Sequence, residues 1–175
     1  MNTYTNAEIC TLLAHSFGAF SQKVSDASEV DFEASPNGKW SAGQHLDHLI
    51  RSVKPLNQAF PLPKFLLGML FGKTNRPSKS YEDLVQKYQD KLGAGGAATG
   101  RFVPSPISFS QKNKLLQEYE NQGKKLERNL KKWSEADLDT YIAPHPLLGK
   151  ITIRELLYFT IYHTEHHLRI LNERD

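Results

Sequence analysis

The sequence predicts an all-α fold, a four-helix bundle of about 20 kDa. Three observations point there. Four long segments repeat apolar residues at the helical period, a start signal precedes each, and no stretch alternates apolar and polar residues as a half-buried strand does. Seven histidines complete the picture, three of them within residues 162–168.

The first segment opens with Thr5 and Glu8 at capping-box spacing and continues as one stripe through Ile9, Leu12, Leu13, Phe17, Phe20 and Val24. Residues 31–39, with Pro36 and Gly38, read as a loop. The second segment starts at Ser41, with Gln44 closing another capping box, and runs through Leu46, Leu49, Ile50, Val53 and Leu56. Pro55 should kink or shorten this helix, and Pro61 and Pro63 end it.

Residues 61–110 break the rhythm and read as a long crossover. They hold a short apolar run at 65–71, a small extra helix at 80–92 and a Gly/Ala-rich loop at 93–100. The 65–71 run reads as core cover or a dimer contact, the alternative being a partner surface. The third segment spans 111–133, with Leu115, Leu116, Tyr119, Leu126 and Leu130 inward and its charges on a solvated face. Pro144, Pro146 and Gly149 make 134–150 a turn, and the fourth helix runs from Thr152 and Glu155 past Leu171.

A chain of 175 residues suits one domain, 1–175, and 39% apolar residues suffice for a core. Lysine and arginine number 22 against 19 acidic residues and are dispersed, so no nucleic-acid partner is expected. Cys10 is the single cysteine, which fits a reducing compartment and excludes a cysteine zinc cluster; it reads as a packed thiol. No basic segment leads into an apolar one near the N-terminus, and the run at 65–71 is far short of the roughly 20 residues that cross a bilayer. A soluble, cytoplasmic protein without a membrane partner is expected.

His163 and His167 stand four positions apart and so share a helix face, one turn from each other. That face adjoins the stripe of Ile153, Leu156, Phe159 and Leu171. Buried imidazoles without partners are costly, and a metal ion relieves that cost by accepting a lone pair from each ring. His48, at the margin of the second stripe, is the third ligand on this reading, and His45, one turn earlier, could substitute. Three histidines leave positions for water or substrate, as catalytic sites do. Imidazole ligands suit zinc, nickel, iron, copper or manganese without choosing among them.

The remaining candidates read as structural. His166 is exposed or an outer neighbour, His15 lies near the first core stripe, and Asp47 and Glu165 are surface carboxylates. Glu165 projects about 200° from His163. His145, between two prolines, is a turn residue, with a lid or substrate contact as the alternative. Thr164 stands where a zincin would need glutamate, and neither a phosphate-binding glycine loop nor a serine elbow occurs.

The segment Trp40-Ser41-Ala42-Gly43-Gln44-His45-Leu46-Asp47-His48-Leu49 resembles the second-helix motif of the DinB/YfiT-like superfamily, and HPLLGKITIRELLYFTIYHTEHHLRIL resembles its last helix. The likeness covers nearly the whole chain. It implies an up-down-down-up bundle with a long crossover, a three-histidine divalent metal site at His48, His163 and His167, and often a homodimer. Members with an activity are transferases or isomerases dependent on bacillithiol, mycothiol or glutathione. The family often continues its last motif as H-H-R-G-Q, where this chain has His166-His167-Leu168-Arg169-Ile170.

These readings converge on a metal-dependent S-transferase that takes a low-molecular-weight thiol and a small electrophile. The alternatives are a metal-dependent hydrolase using bound water, and a non-catalytic metal-binding or stress-response module.

Overall fold

The computed structural model describes residues 3–174. The described residues form α1 (Asn6–Asp26), α2 (Glu29–Glu33), α3 (Ala42–Ala59), α4 (Lys64–Phe71), α5 (Tyr81–Gly93), α6 (Lys112–Leu130), α7 (Glu135–Thr140), strands β1 (Ile142–His145) and β2 (Gly149–Thr152), and α8 (Ile153–Asn172). The four long helices α1, α3, α6 and α8 are the bundle. Three of them start at reciprocal capping boxes, Thr5 with Glu8, Ser41 with Gln44 and Thr152 with Glu155, each satisfying two N–H groups that a helix start leaves orphaned.

Side-chain contacts fix the helix directions. Asn6, at the start of α1, donates to the carbonyls of Leu130 and Trp133 at the end of α6, while Lys112 at the start of α6 donates to those of Ser25 and Ala27. These two helices are antiparallel. α3 runs parallel to α6, since Lys54 pairs with Glu118 and Phe60 packs on Trp133. α8 runs parallel to α1, where Tyr4 N–H donates to Tyr158 Oη at 2.8 Å and Arg154 donates to Tyr4 O. α8 is antiparallel to α3, His45 meeting His167 and His48 meeting His163. The bundle is therefore up-down-down-up. No helix is long and apolar enough to cross a membrane.

Several segments differ from their sequence reading. Residues 142–152 form an antiparallel hairpin, pairing Ala143 with Ile151 and His145 with Gly149. Strands of four residues, one holding a proline, are too short to show alternation. The loop at 31–39 is shorter, because Ser28 caps α2 ahead of a 3₁₀ turn at Pro36–Gly38. α3 passes through Pro55 and ends at Ala59. The 65–71 run lies within the short helix α4, burying Leu67 while leaving Phe65, Met69 and Leu70 exposed. His15 is exposed, not near the core, because the buried stripe of α1 is Ile9, Leu13, Phe17, Phe20 and Val24.

Two ion clusters, each with one buried partner, tie the crossover and α7 to α8. Arg76 makes a bidentate contact with fully buried Glu155 at 2.6 and 2.8 Å, and Lys79 N–H adds a third bond to the same carboxylate. Arg154 is buried against Asp139 and Glu135. α6 approaches α1 at Gly123, where an added Cβ would stand 2.7 Å from the Phe17 ring, itself stacked on Tyr119 at 4.7 Å. Overpacking there costs ~1–3 kcal/mol, more than the ~1 kcal/mol a helical alanine returns. Gly123→Ala should therefore lower the urea midpoint without changing the m-value.

Candidate metal centre

Ser41 starts α3 so that Leu46, Leu49, Ile50 and Val53 enter the core, and this turns the adjoining face, with His45 and His48, toward α8. On α8 the stripe of Leu157, Ile161 and Leu171 does the same for His163 and His167. All four rings are buried. His48 Nε2 lies 3.0 Å from His163 Nε2, which lies 3.0 Å from His167 Nε2. The ligand atoms of His48, His163 and His167 all fall within 4.8 Å of one another, so these three could hold a metal ion.

The proton inventory favours a cation there. His48 Nδ1 lies 2.7 Å from Phe102 O, and a carbonyl only accepts, so His48 carries its proton on Nδ1 and turns the Nε2 lone pair inward. Burial, with neighbouring histidines, holds His163 and His167 neutral far below the usual imidazole range. Burial also lowers His48, against the Phe102 hydrogen bond that raises it. Three crowded inward nitrogens with few protons among them suit an ion that accepts all three lone pairs. Bonds of about 2.0–2.1 Å separate such ligands by roughly 3.0–3.4 Å, which matches the distance of His163 Nε2 from each of its two neighbours.

His45 is an outer neighbour, not a fourth inward ring. Its Nδ1 lies 2.7 Å from His167 Nδ1, and its Nε2 lies 3.1 Å from Arg174 Nη2, which also donates to Trp40 O. Burial and the Arg174 cation push its pKa down to about 3. The two ends of this chain require opposite tautomers. Arg174 donates to His45 Nε2, which leaves the proton on Nδ1 facing His167. An ion on His167 Nε2 instead puts the His167 proton on Nδ1, and His45 must then accept it.

The centre forms part of the wall of a cavity of about 460 Å³ lying between α3, α8, the loop through Phe102 and the hairpin turn. Trp40 lines it, 4.8 Å from the His48 ring, as do Tyr88 and Phe159. His145 also lines it and serves the turn, its Nδ1 accepting from Leu147 and Leu148 N–H at 3.2 and 3.1 Å. Its pKa falls to about 4 through burial and the nearby Lys87 cation.

The other residues singled out in the sequence lie outside the three-nitrogen cluster, with His166 on the cavity wall beside His167. Asp47 is buried rather than on the surface, because Arg51 one turn on pairs with it at 2.7 Å. Half-buried Glu165 accepts from Tyr81 Oη at 3.1 Å, and half-buried His166 packs beside Tyr162. Cys10 is half-buried, its thiol pKa raised chiefly by that burial. Trp40, Tyr88 and the Phe102 carbonyl were not singled out for the site from sequence. The Trp-Ser capping motif pointed to the first, while the other two come from the crossover, whose path no local pattern encodes.

No curated protein and no solved structure matches the chain. The sequence profile of the DinB superfamily matches residues 18–171, a span that takes in all the rings of this cluster and the helices that carry them. The chain belongs to the DinB superfamily.

Proposed function

We propose that the protein is a metal-dependent S-transferase in which His48, His163 and His167 hold one divalent ion and the cavity receives a small thiol and an electrophile. The observation that carries this reading is the convergence of three buried, neutral imidazole nitrogens at the wall of a cavity open to small molecules. When bound, a divalent ion supplies the lowered pKa that makes a coordinated thiol a thiolate near neutral pH. Phe102 O holds the His48 tautomer, and His45 holds the His167 ring. Trp40 and Phe159 pack on the histidine rings and exclude water from them.

The test is consumption of an alkylating electrophile by metal-reconstituted protein with and without added thiol. Turnover that needs both metal and thiol supports transfer. Turnover without thiol favours hydrolysis by bound water, and none with any thiol leaves a metal-binding module.

The outer histidine gives a test of opposite signs. His45→Ala should weaken metal binding ~10–100-fold, as loss of an outer hydrogen-bond partner does. Arg174→Ala should tighten it by up to about tenfold, because one hydrogen bond no longer opposes the metal-competent tautomer. Competition with a chromogenic chelator reads both. Equal losses in the two variants would defeat the tautomer argument.

A further inference from the structure

We infer that the cavity beside the three histidines selects an uncharged, mainly apolar small molecule bearing a single metal-binding atom, and discriminates against a thiol that carries carboxylates. The inference rests on the proposed reading for that one atom; the rest of the ligand class follows from the walls.

Leu49, Val53 and Leu56 of α3 face Leu156 and Phe159 of α8 across the space, and Leu92 closes it from α5. The lining hydroxyls of α3 and α8 already spend their protons. Ser52 Oγ donates to His48 O at 2.8 Å, Thr160 Oγ1 to Leu156 O at 2.9 Å and Thr164 Oγ1 to Thr160 O at 3.0 Å. Each donates its proton to a carbonyl of its own helix and so offers the cavity no hydroxyl donor.

Among the described lining residues there is no carboxylate and no lysine. Arg101 is the single cation; it is exposed and lies over the Phe102 ring at 5.1 Å. Away from the three-nitrogen site, a carboxylate carried inward would lose water and meet no buried counter-charge, which is the costliest way to fill such a space. An aromatic or branched aliphatic group loses nothing polar and gains packing. His145 supplies one neutral donor on the wall. Its Nδ1 accepts from two backbone N–H groups, which places its own proton on Nε2.

The test uses the full chain with cobalt(II) as the metal and three probes: phenylmethanethiol, glutathione and toluene. The thiolate-to-cobalt absorption band reads binding of either thiol, and the thermal midpoint of metal-free protein reads toluene. The expected result is a dissociation constant for phenylmethanethiol at least ~tenfold below that for glutathione, together with an upward toluene shift. Leu147→Arg places a cation on the half-buried hairpin turn at the cavity wall, where folding is least at risk. It should narrow the ratio between the thiols and reduce the toluene shift.

Glutathione binding as tightly as phenylmethanethiol, or no toluene shift, overturns the inference. A thiol preference that Leu147→Arg leaves unchanged overturns it too. A toluene shift that Leu147→Arg reduces, with no cobalt band for either thiol, upholds the apolar selection and fails the thiol reading alone.

Discussion

Replacing His163 with alanine should empty the site. Protein purified without added metal is expected to carry about one ion per chain, and the variant a background amount, by elemental analysis. His163 Nε2 is the central nitrogen, 3.0 Å from both His48 and His167, so its loss leaves only two of the three rings to hold an ion. The expected drop in affinity exceeds the ~10–100-fold that removal of an outer partner causes. Folding should survive, because a buried imidazole that lacks its ion is itself a burden on the native state. Equal metal content in variant and parent would show that the ion sits elsewhere, and the S-transferase reading would go with it.

The second large effect is acid sensitivity of the metal-free protein. A histidine whose folded pKa lies below its unfolded value of 6.5 binds fewer protons when folded. Above 6.5 both states are neutral and stability is at its full value. As pH falls through the window between 6.5 and the folded pKa, the unfolded chain takes up protons first, and stability is lost. His45 sits at about 3 and His145 at about 4, so at pH 5 each withdraws about 1.5 pH units of linkage, or ~2 kcal/mol. His163 and His167 act in the same direction. Together the first two remove ~4 kcal/mol from a native state whose whole margin is ~5–15 kcal/mol. Urea unfolding at pH 7.5 and pH 5 measures it, and a midpoint that stays constant would refute the assignment of these rings as buried and neutral.

Much of the architecture was legible because it rests on local rules. The capping boxes at Thr5, Ser41 and Thr152 and the apolar spacings behind them set three helices, and the spacing of His163 and His167 placed two rings on one face. The juxtaposition of His48 with them follows from its place on the edge of a buried stripe. What stayed hidden depends on partners distant in sequence. Nothing near His45 shows Arg174, 129 residues away, and nothing near His48 shows the Phe102 carbonyl, 54 residues away. His15 misled because it adjoins a stripe without belonging to it. The hairpin at 142–152 was read as a turn because its pairing is supplied by the opposite strand and not by composition.

The anchoring of the crossover to α8 has a mechanical outcome. Arg76 and Lys79 grip Glu155, and Gln89 reaches Tyr162, so the roof built by α5 rides with the helix that bears His163 and His167. Toward α3 the same roof is stitched by Phe102 O to His48 and by Arg101 O to Arg51. Any parting of the loop from α3 along this seam would take away the acceptor of the His48 Nδ1 proton. The set of one imidazole is thereby tied to how closely that loop lies on α3, at the edge of the helix that carries it.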